Sequence, residues 1–242
     1  MNYRRRIYDR YQASHIAAAK SGARSDLDYQ DLVHEKTFRA LLPKDKSASI
    51  FEIGCGSGGF QRFLRRSGYT RAAGMDQDAD AVATAIRLGA LGASAGDALA
   101  HLKTAAERYD CIVAIDVVEH FKKEELFDLF DAVRGALKPG GVFLWRAPNA
   151  DGPFSGRLRY GDLTHEIAFT KASAWQLMRC AEFVVVETFG EEPVVTGLRS
   201  LLRAILWAFF KALARLYLFA ESYAQNDVLL TANMIVRGRR AP

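Results

Sequence analysis

Three cysteines and six prolines are few for a chain of 242 residues, and these shortages exclude several classes of protein. Cys55, Cys111 and Cys180 lie far apart without CxxC spacing, so neither a disulfide framework nor a structural zinc site is predicted. A reducing, cytoplasmic setting fits this cysteine content best. The composition is half hydrophobic, which is typical of a globular protein and not of a fibrous or disordered chain. No apolar segment follows the basic N-terminus, so no secretory signal is expected.

The formal net charge of +5 arises entirely from the C-terminal part of the chain. Residues 1–196 balance 26 basic against 26 acidic side chains, whereas residues 197–242 hold seven basic and two acidic ones. A neutral body argues against a nucleic-acid partner. A C-terminal part that is both basic and apolar indicates contact with a membrane surface or a lipid-linked partner.

From Ser49 onward, short apolar runs alternate with amphipathic stretches, which predicts an α/β domain whose parallel sheet is covered on both faces. Strands are predicted at Ser49–Ile53, Ala72–Asp76, Ala93–Ala95, Cys111–Ile115, Gly141–Ala147, Phe183–Phe189 and Val228–Val236. Helices are predicted at Gly59–Arg66, Ala79–Leu88, Ala98–Ala106, Lys123–Leu137 and Lys171–Cys180, the last with Thr170 as its N-cap. Residues 1–46 form a predicted helical lead-in that stops at Pro43, and residues 47–242 form the domain.

A glycine-rich segment, Glu52-Ile53-Gly54-Cys55-Gly56-Ser57-Gly58-Gly59, follows the first strand and opens a helix. Gly54, Gly56 and Gly59 match the GxGxxG fingerprint, in which main-chain N–H groups approach a dinucleotide. Glu52 at the strand end would repel a pyrophosphate but attract the ammonium and sulfonium of S-adenosylmethionine. Asp76 suits two ribose hydroxyls, and Asp97 suits an adenine amino group. Three acids on neighbouring strand ends therefore predict a site for S-adenosylmethionine.

Together with GMD at 74–76, GDA at 96–98, DCIVAIDVVEH at 110–120 and LKPGG at 137–141, this segment resembles class I S-adenosylmethionine-dependent methyltransferases over about residues 45–190. The resemblance implies a doubly wound, Rossmann-like sheet of seven strands whose last strand is antiparallel. Here an apolar, basic helical insertion at residues 193–226 would precede that strand. The implied cofactor contacts are Glu52, Gly54, Cys55, Gly56, Gly58, Asp76, Gln77, Asp97, Ala98 and Asp116.

Asp116, Glu119 and His120 form a DxxEH group that is similar to one in ubiquinone-pathway O-methyltransferases. Carboxylates and an imidazole can share a divalent ion. Because no further ligand stands at a suitable spacing, the group is interpreted as pocket wall, and no metal site is predicted.

The loop at residues 148–169 follows the fifth strand, at the sheet edge where ligands gather. Methyl transfer from a sulfonium depends on alignment, and an alcohol acceptor also loses a proton. His165 is the candidate general base, with Asp162 and Glu166 as neighbouring candidates. The alternative interpretation of His165 is an anchor that holds the loop.

The loop segments PN at 148–149, GPFSGRLRYGDLTHE at 152–166 and AFT at 168–170 are similar to those of methyltransferases encoded with polysaccharide or lipopolysaccharide assembly genes. This implies a sugar hydroxyl on a lipid-linked or nucleotide-linked saccharide as the acceptor. Candidate acceptor contacts are Arg157, Arg159, Tyr160 and His120, and the alternative for the two arginines is solvation on the loop surface. Ala181-Glu182-Phe183 departs from the Ala-Gly-Phe usual in the family.

The segment Leu198–Ala220 reads LRSLLRAILWAFFKALARLYLFA. Arg203, Lys211 and Arg215 would each cost about 2.5–3.5 kcal/mol near the centre of a bilayer, which argues against a transmembrane span. An interfacial helix on the cytoplasmic face of a membrane is one interpretation. A homodimer contact and a lid over the acceptor pocket are the alternatives.

These observations predict a cytoplasmic methyltransferase that O-methylates a saccharide. One alternative is an O-methyltransferase of a prenylated phenol in quinone biosynthesis, which would hold its prenyl tail on the apolar helix. The other is a non-catalytic protein that binds the cofactor.

Overall fold

The computed structural model describes Tyr3, Ile7 and residues 25–90, 92–222 and 228–242. Seven strands form one sheet in the order β3-β2-β1-β4-β5-β7-β6. Strand β7 runs antiparallel to both β5 and β6, whereas β1 to β5 are parallel. The predicted doubly wound sheet with an antiparallel last strand is therefore confirmed. The strands are β1 Ser49–Ile53, β2 Arg71–Asp76, β3 Ala93–Ala95, β4 Tyr109–Ile115, β5 Leu137–Pro148, β6 Val184–Gly190 and β7 Asn233–Arg239.

Eight α-helices and one short 3-10 turn connect these strands in the described part of the chain. The helices are α1 Ser25–Phe38, α2 Gly59–Arg66, α3 Ala79–Arg87, α4 Ala98–Thr104, α5 Lys123–Ala136, α6 Ser155–Arg159, α7 Lys171–Cys180 and α8 Leu198–Ser222, and the 3-10 turn is Val118–His120. Thr170 caps α7 as predicted, since its side chain accepts from the Ser173 backbone N–H.

The hydrophobic core lies on both faces of the sheet because successive strand residues point in opposite directions. Phe51, Ile112 and Trp145 pack on one face with apolar residues of α4, α5 and α7. Ile50 and Leu144, their immediate chain neighbours on β1 and β5, pack on the other face with residues of α1 and α2. Both layers hold the carboxyl ends of β1, β2 and β4 at one edge.

Three predicted element bounds lie four or more residues from the observed ones. The last strand begins at Asn233 and not at Val228, and the lead-in helix ends at Phe38, before Pro43. Strand β5 begins at Leu137, the predicted last residue of a helix, and not at Gly141, because Leu137 pairs with Tyr109 before the register shifts. Residues 1–24 of the predicted lead-in, apart from Tyr3 and Ile7, lie outside the described residues. Residues 223–226 of the predicted insertion lie outside them as well.

Helix α1 lies against the start of α2, next to the glycine segment. A Cβ atom at Gly59 would lie 3.4 Å from Gln30 Oε1, and the Phe38 and Phe60 rings meet edge to face at 5.2 Å. The half-buried imidazole of His34 packs between these rings and Phe63, and desolvation lowers its pKa to about 4. Helix α1 therefore walls one side of the glycine segment.

Candidate cofactor and acceptor site

The glycine segment turns sharply at the end of β1. Gly54 has φ +69°, and a Cβ there would lie 2.5 Å from the Val117 side chain, so only glycine fits. Gly56 has φ +48°, and a Cβ atom there would meet nothing within 4 Å. Its N–H donates to Asp76 Oδ2 at 2.8 Å. Open space therefore lies next to the Gly56 backbone, whose N–H group is held by the Asp76 carboxylate.

Two acids that the sequence assigns to the cofactor lie at strand ends and are held by backbone N–H groups. Asp76 Oδ1 accepts from the Asp78 N–H at 2.9 Å, so both carboxylate oxygens of Asp76 are oriented. Asp97 Oδ1 caps α4 by accepting from Leu99 and Ala100. This leaves Asp97 Oδ2 for a ligand. Gln77, exposed beside Asp76, and Ala98, buried at the start of α4, flank these acids.

Glu52 has a different environment from the open strand end that the sequence indicates. Its side chain is buried, and Gln61 Nε2 donates to Oε2 at 2.9 Å. Burial raises the pKa of Glu52 to about 8, so burial by itself favours the neutral acid. A cation bound nearby would favour the carboxylate, because opposite charge lowers a carboxyl pKa. Cys55 is buried under the same turn, and Gly58, with φ +79°, precedes α2.

Asp116 ends β4 in the left-handed region, with φ +55°, and pairs with Arg146 of β5. Arg146 also donates to Glu191 Oε1 at 2.8 Å, and Asn233 Nδ2 donates to Glu191 Oε2 at 2.7 Å. The two carboxylates raise the pKa of Arg146 above its already high value. This network joins the ends of β4, β5 and β7 beside the glycine segment.

The fold places His165 next to the DxxEH group, although His165 lies 45 residues after His120 in the sequence. The His120 and His165 rings meet at 4.9 Å, and His165 Nε2 lies 4.0 Å from Glu119 Oε1. The Glu119 backbone carbonyl accepts from the N–H groups of Glu166 and Ile167 at 2.8 and 3.2 Å. Burial raises the pKa of Glu119 and lowers that of His120.

The loop at residues 148–169 is ordered by its own polar groups. Asn149, fully buried, donates from Nδ2 to the carbonyls of Leu229 and Thr231, both at 2.7 Å. Asp162 Oδ1 accepts from the Thr164 N–H and hydroxyl. Glu166 accepts from the Tyr3 hydroxyl.

The two candidate arginines of this loop have different surroundings. Arg159 donates to the backbone carbonyls of His165 and Glu166, so it stabilises the loop. Arg157 and Tyr160 are exposed at the loop surface, where an acceptor could reach them.

The sequence does not predict Arg146 or Gln61 as site residues, and it predicts Glu119 only as part of the pocket wall. A charged residue inside the apolar strand GVFLWRAP is a signal that could have identified Arg146, because such a group needs a partner. Glu119 gives no such signal, since its burial depends on the loop that returns from residue 165.

A family model described as a methyltransferase domain matches residues 25–189. No curated protein matches the sequence. The chain is 20% identical to a SAM-dependent methyltransferase from Archaeoglobus fulgidus, with a TM-score of 0.64 over 87% of this chain and 94% of that one. It is 17% identical to an S-adenosylmethionine-dependent methyltransferase from Mesorhizobium loti, with a TM-score of 0.59 over 86% and 98%.

A third solved structure is phosphoethanolamine N-methyltransferase 2 of Haemonchus contortus in complex with S-adenosyl-L-methionine. It is 14% identical, with a TM-score of 0.60 over 89% of this chain and 53% of that one. At these identities, the likeness to solved structures establishes the fold.

Proposed function

The chain belongs to the methyltransferase-domain family, and we propose that it transfers a methyl group to a sugar hydroxyl of a glycan or of a lipid-linked or nucleotide-linked saccharide. S-adenosylmethionine is the cofactor, and when bound it supplies an electrophilic methyl group. The chain's own residues fit it, since Gly56 leaves open space beside the oriented carboxylate of Asp76. We assign the ribose hydroxyls to Asp76, the adenine amino group to Asp97, and the methionine part to the side bounded by Glu52 and Asp116.

The Asp76 assignment predicts a large loss of cofactor affinity on substitution. Asp76→Ala should weaken the binding of S-adenosylhomocysteine, measured by calorimetry, by about 10- to 150-fold, which corresponds to about 1.5–3 kcal/mol for charged hydrogen bonds. Asp128→Asn, an exposed carboxylate on α5, is the matched control and should bind normally. Unchanged affinity in the Asp76 variant would contradict the assignment.

The observation that supports a hydroxyl acceptor is the orientation of His165. Its Nδ1 lies 2.9 Å from the Leu158 carbonyl, which can only accept, so Nδ1 carries the proton and Nε2 presents a lone pair. A hydroxyl must lose a proton when it is methylated, and a fixed imidazole lone pair suits that task. Asp162 and Glu166 are the remaining candidates for proton removal, but Asp162 accepts from Thr164 of the same loop and Glu166 accepts from the Tyr3 hydroxyl.

Arg157, Tyr160 and His120 are the proposed acceptor contacts. An arginine recognises the phosphate of a nucleotide sugar or lipid-linked saccharide, or the carboxylate of a sugar acid. The exposed ring of Tyr160 offers an apolar face to a sugar ring. A prenylated phenol would need none of these charges.

An acceptor screen distinguishes the two substrate classes. Methylation of nucleotide-linked or lipid-linked sugars that weakens on Arg157→Gln is the expected result. Lys103→Gln, an exposed cation on α4, serves as the control. Methylation of prenylated phenols, with sugars left unmodified, would favour the quinone-pathway alternative.

Helix α8 presents an unusual exposed surface. Eleven of its large apolar side chains are exposed: Leu198, Leu201, Leu202, Ile205, Leu206, Phe209, Phe210, Leu213, Leu216, Tyr217 and Phe219. Glu192, in the segment before α8, accepts hydrogen bonds from Trp207 Nε1 at 3.1 Å and from Lys211 Nζ at 2.7 Å on another side of the helix. Among the described residues, no helix is long and apolar enough to cross a membrane.

We propose that α8 lies on an anionic membrane at the cytoplasmic face, where a lipid-linked acceptor would be found. Arg199, Arg203 and Arg215 are exposed beside the apolar surface, which suits the phosphates of a lipid headgroup layer. Lys211 is not grouped with these arginines, because its ammonium group pairs with the Glu192 carboxylate.

Vesicle sedimentation tests this proposal. Replacing Arg199, Arg203 and Arg215 by Gln should weaken binding to phosphatidylglycerol-containing vesicles by about 100-fold, at about 1 kcal/mol for each basic residue. Replacing the exposed cations Arg87, Lys103 and Lys123 by Gln is the control. A chain that ignores vesicles and becomes monomeric on Phe209→Ser with Phe210→Ser would show that α8 contacts a second copy instead.

A further inference from the structure

The carboxyl group of Glu119 is buried without a hydrogen-bond partner. The residue is 0% exposed, and neither Oε1 nor Oε2 is hydrogen-bonded in the part of the chain that the structure describes. A buried carboxyl without partners is costly, and each such group in a native fold needs an explanation. Glu119 lies on the 3-10 turn between β4 and α5 and faces His165 across 4.0 Å.

Both neighbouring imidazoles are oriented by a hydrogen bond at Nδ1. His165 donates from Nδ1 to the Leu158 carbonyl, as described above. His120 Nδ1 lies 2.9 Å from Thr164 Oγ1, whose own proton goes to Asp162 Oδ1 at 2.6 Å. Thr164 therefore accepts from His120, so Nδ1 carries the proton in both rings. Hydrogen bonds of this kind, from the second ring nitrogen to a carbonyl or to a carboxylate through a hydroxyl, orient histidines that bind metals.

One ligand atom from each of Glu119, His120 and His165 lies within 4.8 Å of the other two. We propose that these three side chains bind a divalent first-row transition cation, with Zn²⁺ and Mn²⁺ as the representative ions. Two nitrogens and one carboxylate suit these ions, whereas Mg²⁺ and Ca²⁺ take mainly oxygen ligands. Ligands about 2.1 Å from a cation are roughly 3–4 Å apart, so a closure of at most about 1–2 Å completes the set.

Three side chains of the described residues meet at this site, which leaves coordination positions for other ligands. The role of the cation rests on the proposed function: a saccharide hydroxyl could be placed on an open position and made more acidic by the charge. In that arrangement Nε2 of His165 would hold the cation in place of removing the proton itself, and the proton of the hydroxyl would pass to solvent water. The cation site itself depends only on the three side chains.

Metal titration of the full chain tests the site without any acceptor. Mn²⁺ should bind with one-to-one stoichiometry, detected by electron paramagnetic resonance, and Zn²⁺ should displace it. Glu119→Gln and His165→Gln should each weaken Mn²⁺ binding at least 10-fold, whereas His101→Gln on α4 should not. Glu119→Asp should restore part of the affinity. S-adenosylhomocysteine binding, retained in every variant, reports that the fold is intact.

Mn²⁺ binding that is absent from the wild-type chain, or equal in wild type and Glu119→Gln, would overturn the proposal. The proposal would also be overturned if Mn²⁺ binding were lost only in variants that no longer bind S-adenosylhomocysteine. The loss would then report damage to the fold, and Glu119→Asp would report folding alone. Neither result depends on the acceptor. Failure of the cation site and failure of the saccharide proposal are therefore distinguishable.

Discussion

Replacing His165 by alanine is expected to lower the turnover number by roughly 10²–10⁴-fold, the usual contribution of a group that acts on a transferred proton. The Nε2 lone pair of His165 faces Glu119 and His120 and is the nitrogen available to act on a hydroxyl. Affinity for S-adenosylhomocysteine should stay within about threefold, because His165 does not contact the glycine segment. Steady-state kinetics and calorimetry measure the two quantities separately.

His101→Gln is the matched control for this loss, since His101 lies on α4 and pairs with the Tyr109 hydroxyl at 2.7 Å. Its turnover should be close to that of the wild type. If His165→Ala lost cofactor affinity and turnover together, His165 would be an anchor of the loop and not a catalytic residue.

Replacing Arg146 by methionine is expected to lower the free energy of unfolding by about 3–5 kcal/mol, the cost of removing one partner of a buried ion pair. The side chains of Arg146 and Glu191 are 14% and 15% exposed, and their ion pair spans 2.8 Å. Without Arg146, the Glu191 carboxylate would keep only its bond from Asn233 while remaining buried. Urea denaturation measures the change through the midpoint at constant m value.

The double variant Arg146→Met with Glu191→Met is the control for this prediction. It should recover much of the lost stability, because it removes the uncompensated charge as well. A single variant within about 1 kcal/mol of the wild type would show that solvent reaches Glu191. In that case the network at the ends of β4, β5 and β7 would not stabilise the site.

The sequence predicts the sheet well where the local pattern and the tertiary contacts agree. Ser49–Ile53, Gly59–Arg66 and Lys171–Cys180 have the predicted bounds because apolar alternation, glycines and a Thr170 cap mark their ends. The apolar run from Val228 is different. The carbonyls of Leu229 and Thr231 accept from the Asn149 side chain, and this contact delays β7 until Asn233.

The meeting of the proposed cofactor residues was predictable because the strand order places their strand ends together. Asp76 and Gly56 are 20 residues apart but hydrogen-bonded. The group around Glu119 was not predictable, since His165 reaches it only through the folded loop, and its ring orientation depends on the Leu158 carbonyl. Glu119 and His120 are adjacent in the sequence, whereas His165 lies 45 residues after His120. The spacing along the chain therefore does not identify His165 as a member of the group.

Transfer of a ¹³C-labelled methyl group from S-adenosylmethionine, followed by NMR of the products, tests the central claim most directly. The acceptors should include nucleotide-linked sugars, lipid-linked saccharides, prenylated phenols and amines in one panel. The account predicts label on an oxygen of a saccharide, in a reaction that is lost in Asp76→Ala and His165→Ala. Label on a phenol or an amine, or S-adenosylmethionine that binds without transfer to any acceptor, would contradict it.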